Sequence, residues 1–395
     1  MSQNTFNGAL KGLRILDLTR LLPGPFCTLM LGDLGAEIIK VEEKGRGDYT
    51  REMLRGIYYS VNRNKKSISL DLKKEEGRQI IWDLAKVSDV VIEGFRPGVV
   101  ERLGVDYDTI KKINPQIIYC SISGFGQDGP YRLVPGHDVN YLAVAGALSI
   151  PGQFGYPPIR SGLPVADLSS AMFAAVSILS ALFARNKTKK GQFLDVSMTD
   201  SVFSWASTRL GDFMISQEIS QMDNMDHVLA TNDIFETKDG KRIAIGVLEE
   251  PFWIGLCKTI CREDLLKDNR YETHADRKEN KNSLHKLLTD IFLQKDQATW
   301  MELLKTNKVP ASKVNNPEEA FHDSQLQARG MIERLFVPSL NKEIYQVPFP
   351  VKLSDTPAEI KSPPPALGEH TEEVLKSVLG YSENKIVQLN SLDLF

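Results

Sequence analysis

Between Leu13 and Met198 short apolar runs alternate with helical stretches, and that alternation limits the fold more than any other feature of the chain. Leu13–Leu18, Glu37–Glu42, Ser67–Leu72, Asp89–Glu93, Ile117–Ile122 and Phe193–Met198 read as strands, rich in Ile, Val and Leu. A helix is predicted over Phe26–Leu34, after Pro23-Gly24-Pro25, and another over Glu75–Lys86, where Ile80, Ile81, Leu84 and Ala85 share one face. Leu168–Arg185 is apolar almost all round, the mark of a helix buried in a core or against a second subunit. Lys187, Lys189, Lys190 and Gly191 close it with a basic last turn and a stop. Strands that alternate with helices form a mostly parallel sheet covered on both faces, so the fold class is α/β, and ligands bind at the carboxyl ends of the strands.

A chain of 395 residues is too long for one simple core. Past Ser216 the texture changes: Asp223–Thr231 is polar and irregular, and Ile234–Val247 reads as a hairpin turning at Asp239-Gly240. Amphipathic helices are expected over Phe252–Thr259, Lys281–Phe292 and Gln297–Thr306. The expected organisation is a large domain over residues 1–220, a smaller α+β domain over 221–330, and a return segment over 331–395. Val337–Pro365 is too rich in proline for a long helix or a central strand and reads as an extended path, ending in a helix over Glu369–Leu379.

Composition narrows the function. Hydrophobic and charged contents of 42% and 25% are ordinary for a globular protein. A net charge of −3 argues against a nucleic-acid partner, which needs a concentrated basic surface. Cys257 and Cys261 have helical spacing, not the Cys-x-x-Cys spacing of zinc or redox sites. With Cys27 and Cys120 they are read as buried small residues in a reducing cytosol. The start, Met1-Ser2-Gln3-Asn4-Thr5, has no signal-peptide pattern. The longest apolar stretch, Ala171–Ala184, contains Ser177 and Ser180 and is read as too short to cross a membrane. A cytoplasmic protein is expected, with no membrane partner.

No Gly-x-Gly-x-x-Gly follows the first strand, where Leu21-Leu22-Pro23-Gly24-Pro25 stands instead, so a nicotinamide dehydrogenase is disfavoured. Walker A, Gly-x-Ser-x-Gly and His-Glu-x-x-His patterns are absent too. Asp167 stands before a helical stretch, where it can cap the helix or serve as a carboxylate tuned by burial and the helix dipole. His137 lies just before the apolar run from Tyr141, with Asp138 beside it to orient the ring or cap the next helix. Glu249 follows a strand. Arg63, Lys65, Lys66, Lys73, Arg96 and Arg102 lie near strand ends, either as a solvated face or as contacts to a phosphorylated ligand.

Several motifs together resemble the family III CoA-transferases (the CaiB/BaiF family), a group that includes the α-methylacyl-CoA racemases. They include Gly12-Leu13-Arg14-Ile15-Leu16-Asp17-Leu18-Thr19-Arg20, Asp33-Leu34-Gly35-Ala36-Glu37, Asn62-Arg63-Asn64-Lys65-Lys66-Ser67, Gly94-Phe95-Arg96-Pro97-Gly98, Ser123-Gly124-Phe125-Gly126-Gln127-Asp128-Gly129-Pro130 and Gly368-Glu369-His370-Thr371. The resemblance implies a Rossmann-like large domain built from both ends of the chain, a small domain, and two subunits interlocked as a homodimer. It also implies a CoA thioester as substrate, with no metal and no permanently bound cofactor.

Asp167 matches the family's aspartate, a nucleophile toward the thioester in the transferases and an acid/base residue in the racemases. Gly136-His137-Asp138-Val139-Asn140-Tyr141 matches the racemase pattern, and Glu249 falls at the position of a racemase glutamate. On that pattern the first reading is epimerisation of a 2-methylacyl-CoA, with His137 and Asp167 as the two bases. The second is CoA transfer between carboxylic acids through Asp167, which the longer Ile57–Arg63 segment and Leu168-Ser169-Ser170 favour; a silent CoA-binding paralogue is third. The resemblance places CoA contacts at Ser69, Leu70, Asp71, Leu72, Lys73, Arg96, Arg102, Gly136, Asp138, Asn140 and Tyr141. Glu43 stands where relatives commonly have an arginine for a CoA phosphate, leaving Lys44 or Arg46 as substitutes.

Overall fold

A computed structural model describes residues 8–155, 157–218 and 227–395. The N-terminal residues read for a signal peptide, and Asp223 to Asp226 of the polar stretch, lie outside these. The chain divides into two compact units. The larger takes in the described residues of Met1–Ala145, Ser161–Trp205 and Ser324–Phe395, and the smaller those of Gly146–Arg160 and Ala206–Asp323.

In the larger unit β1 (Arg14–Leu18), β2 (Glu37–Glu43), β3 (Lys65–Leu70), β4 (Val90–Glu93), β5 (Ile118–Ser123) and β6 (Gln192–Ser197) form one parallel sheet in the order β3-β2-β1-β4-β5-β6. The protein is therefore α/β. Successive strand residues point to opposite faces, and both faces are covered, so the strands are buried on both sides, with Asp17, Lys40 and Lys65 among their apolar residues. The connecting helices are α1 (Pro23–Asp33), α2 (Arg55–Val61), α3 (Glu75–Lys86), α4 (Val99–Leu103), α5 (Tyr107–Ile113), α6 (Asp138–Val144) and α7 (Val165–Thr188). Leu16, Ile39, Ile68 and Val91 pack with Ile80, Ile81 and Leu84 of α3, Ile110 of α5, and Val374 and Ile386 near the C-terminus. Ile15, Ile38, Val90 and Ile118 pack on the other side with Leu31 of α1 and Ala171, Ala174 and Ile178 of α7.

Two of the helix starts that differ from expectation bear on the site. α1 begins at Pro23 rather than after Pro25, because a proline in the first turn lacks only an N–H that the helix does not use. Gly24 is required there: a Cβ would lie 2.2 Å from Thr19 Cβ. α7 begins at Val165, so Asp167 is its third residue and not its cap. At 24 residues α7 is also long and apolar enough to cross a membrane, contrary to the reading from Ala171–Ala184; half of its most apolar stretch is buried within the protein. Its Ala and Ser residues let it lie close against the sheet.

The proline-rich return runs along the outer edge of β3. Gly368 N–H donates to Ser67 Oγ, His370 N–H to Ser67 O, and Ser69 N–H to Thr371 Oγ1, which covers an edge strand without adding one. A hairpin of Glu333–Val337 and Lys342–Gln346 occupies part of the stretch expected to be merely extended. The helix expected over Glu369–Leu379 spans Thr371–Ser377, and a further helix that was not expected, Glu383–Ser391, follows after Gly380 with φ +67°.

The smaller unit holds a three-stranded antiparallel sheet, Ile234–Glu236, Arg242–Ile245 and Ala311–Lys313. Its first two strands turn at Asp239-Gly240, where Gly240 has φ +71°. Helices Glu250–Thr259, Lys281–Phe292 and Gln297–Thr306 bury Trp253, Phe292 and Trp300 beside it. The first of these ends before Cys261, which adopts φ +55° and is exposed; the other three cysteines are buried.

Candidate active site

From β1 the chain moves outward to β2 and β3, then returns to β4 on the other side of β1. Ligands of open α/β sheets bind at the carboxyl edge beside such a reversal. A cleft of about 430 Å³ lies there, with Leu18, Val41, Leu70 and Leu103 as apolar wall and Arg20, Lys44 and Lys73 as cations at its rim. Arg20 lies over the rings of Tyr49 and Phe95, 5.0 and 5.1 Å from their centroids, and donates to Tyr49 Oη at 2.6 Å. Arg46 stacks on the same tyrosine at 4.0 Å. Glu43, where the resemblance leads one to expect an arginine, pairs with Arg20 at 3.5 Å, and Lys44 pairs with Asp393. Apolar wall, aromatic rings and rim cations suit a nucleotide bearing phosphates.

Beneath the cleft lies a fixed charge network. Lys40 is fully buried and pairs with Asp48 at 2.9 Å while donating to Thr19 O. Burial would raise the Asp48 carboxyl, but Lys40 and the Thr50 N–H and hydroxyl outweigh it and hold it at about 2. This network braces the Thr19–Tyr49 side of the site and leaves its charges no freedom to meet a ligand.

Asp167 sits half-buried in the first turn of α7, at the positive end of the helix dipole. That turn is held by Asp138, 5% exposed, whose Oδ1 accepts the Ala166 N–H at 2.8 Å. The Gly136–Tyr141 segment is thereby tied to the helix that carries Asp167. His137 is exposed at the N-cap position of α6, and its N–H donates to Asn140 Oδ1 at 3.0 Å. Tyr141 Oη donates to Gly136 O at 2.6 Å, and its ring lies so close to Gly124 and Gly136 that a Cβ on either would be 2.4 or 2.8 Å from it. Burial raises the Tyr141 phenol; the Asp167 carboxylate raises it further, and Arg96 opposes. Asp167, Tyr141 and Arg96 thus share one electrostatic neighbourhood.

Of the other expected residues, Leu70, Asp71, Leu72 and Lys73 line the cleft. Ser69 is buried and bonded to Thr371, and Arg96 and Arg102 are exposed outside the cleft wall. Glu249 is exposed and belongs to the smaller unit, whereas His137 and Asp167 belong to the larger. Three basic residues considered for a phosphate are occupied elsewhere. Arg63 is buried against Asp33 at 2.6 Å, Lys65 is buried and donates to Pro25 O and Asn62 Oδ1, and Lys66 pairs with Glu37 and Glu373. Arg63 and Lys65 also stand at the amino end of β3, the wrong edge for a ligand. Sequence reasoning missed Arg20, Tyr49 and Phe95; the position of Arg20 directly after the first strand was the available signal for one of them.

The sequence profile of CoA-transferase family III matches residues 10–371, and the chain belongs to that family. It is 37% identical over 391 residues to the succinyl-CoA:glutarate CoA-transferase of Homo sapiens, covering 97% of this chain and 89% of that one. It is 34% identical over 396 residues to the succinyl-CoA:mesaconate CoA-transferase of Haloarcula hispanica, covering 96% and 99%. Its fold is similar to the crystal structure of a CaiB/BaiF family protein from Brucella suis, with a TM-score of 0.84, 31% identity, and coverage of 94% and 100%. These names favour CoA transfer, the second reading of the sequence, over the epimerisation placed first. The racemase-like motif at Gly136–Tyr141 was too local a signal to decide the reaction.

Proposed function

We propose that the protein moves CoA from a dicarboxylyl-CoA to a free dicarboxylate, with Asp167 as the covalent carrier. An Asp167 oxygen attacks the thioester carbonyl, the C–S bond breaks, and a mixed anhydride forms as the CoA thiolate leaves. The thiolate attacks Asp167 Cγ, releasing the first acid and leaving an aspartyl-CoA thioester. The acceptor carboxylate attacks the same carbon, displacing the thiolate and forming a second anhydride. Thiolate attack on the acceptor's acyl carbon then gives the new thioester and frees Asp167. The sequence needs no net proton transfer, so His137 acts as no base in it.

One observation carries this reading: proteins alike over nearly the whole of both chains are named for transfer from succinyl-CoA to another dicarboxylate. The site supports it. The first turn of α7 can stabilise the oxyanion that develops at each attack, and Asp138 holds that turn in place. The cleft at Leu70–Lys73 would take the nucleotide, with Arg20 and Lys44 for its phosphates. The family's interlocked homodimer belongs to the proposal, supported by the exposed Met172, Val176 and Phe183 on α7.

The test pairs succinyl-CoA with glutarate. Glutaryl-CoA should form, hydroxylamine should trap an acyl adduct at Asp167, and Asp167→Ala should lower the rate by about 10³-fold or more. α-Deuterium uptake from heavy water into a single-enantiomer 2-methylacyl-CoA, with no trapped adduct, would restore epimerisation.

A further inference from the structure

Glu93 ends β4 at the carboxyl edge of the sheet and is 2% exposed. It accepts the Phe95 N–H through Oε2 at 2.7 Å, closing the turn that carries Phe95 into the cleft wall. Directly in register on β5 stands Ser121, whose hydroxyl lies close enough to favour the ionised Glu93 carboxyl. Ser121 Oγ accepts from Gln127 Nε2 at 2.7 Å, and the Gln127 N–H donates to Asp195 Oδ2 at 3.0 Å. Gln127 lies in the Ser123–Pro130 loop, whose Phe125 meets the Tyr141 ring edge-on at 5.2 Å beside Asp167. A single buried carboxyl therefore bonds the Phe95 turn and faces the Ser121 hydroxyl on which the Gln127 side chain rests.

We propose that Glu93 is a positioning residue that couples the CoA cleft to the Asp167 centre, holding the Phe95 turn directly and the Gln127 loop through Ser121 in its ionised form. The donor count selects that form. Ser121 receives the Gln127 amide hydrogen, so its own hydrogen is free for Glu93, and an ionised carboxylate accepts it together with the Phe95 N–H. A neutral carboxyl brings a hydrogen of its own. Facing an N–H on one side, it must donate to Ser121 and turn the serine hydrogen away.

The titratable groups around Glu93 keep this balance near neutrality. Burial raises the carboxyl to about 7, with Glu101 from α4 and Asp195 from β6 adding repulsion. From β5, Tyr119 and Cys120 are themselves raised by burial and stay neutral. β1 places Leu18 opposite, with nothing to titrate. The mechanism proposed above moves no proton, so this carboxyl has no chemical step to perform in it.

The inference rests on the CoA-transfer reading, and its test separates the two. Wild type, Glu93→Gln and Ser121→Ala are compared as full chains for kcat/KM with succinyl-CoA and glutarate, and for CoA binding by calorimetry, from pH 5.5 to 8.5. The ratio of wild-type to Glu93→Gln kcat/KM, which cancels the titration of the substrate phosphates, should rise about tenfold from pH 6 to 8, since a group at about 7 is about one-tenth ionised at pH 6. Ser121→Ala, with a melt that confirms folding, should lower kcat while CoA affinity stays within about twofold, because only the Gln127 arm is cut. A ratio that does not change with pH, or a Ser121→Ala variant with wild-type kcat, would overturn the role of Glu93. Failure to trap an adduct at Asp167 in the wild type would instead sink the transfer reading.

Discussion

Burial decides what each charged side chain of the larger unit can do. Arg63 and Asp33 are both 2% exposed at their side chains, and Arg63 also donates to Gln346 and Val347. Arg63→Ala would leave a buried carboxylate without its partner, and urea unfolding should show a loss of about 3–5 kcal/mol. Lys73, exposed at the cleft, should behave oppositely: Lys73→Ala raises KM for the CoA thioester and leaves the unfolding midpoint unchanged. Glu93 adds a pH dependence of defined sign. Its folded carboxyl, at about 7 against an ordinary 4.5, holds a proton that the unfolded chain has released. Its contribution to stability is complete at low pH and is lost as pH rises through that window, by up to about 3 kcal/mol. Glu93→Gln cannot ionise, so its stability relative to wild type should increase by about that much from pH 5 to 8 in denaturant titrations; no change would contradict the raised carboxyl.

At the scale of elements, the start of α7 matters most. Asp138→Ala removes the acceptor for the Ala166 N–H and should cost about 1–2 kcal/mol in stability. Because the cleft is untouched, steady-state kinetics should show kcat falling more than KM for the CoA thioester. Elements with one apolar face were legible to the residue: Glu75–Lys86, Lys281–Phe292 and Gln297–Thr306 have the expected bounds. α7 was not, because a helix apolar all round has no stripe to show where it starts, and an aspartate near its beginning reads as a cap. The Glu333–Gln346 hairpin was hidden because the prolines from Pro348 onward coloured the reading of the whole segment, although they follow its second strand.

At the scale of the whole molecule, the exposed apolar residues of α7 lead to an expected dimer, and sedimentation equilibrium should give twice 44.2 kDa at micromolar concentration. A monomer would remove the interlocked assembly from the proposal. By itself the sequence determined the α/β class, the alternation that builds the sheet, and the motifs that resemble family III CoA-transferases. These are legible because period and motif are properties of neighbouring residues. Only the tertiary structure decided which cations are consumed in the core, that Asp138 secures the helix of Asp167, and that Glu93 bonds the Phe95 turn while facing Ser121. Burial and pairing join residues far apart in the chain, and local sequence carries no record of which distant partner each charge will meet.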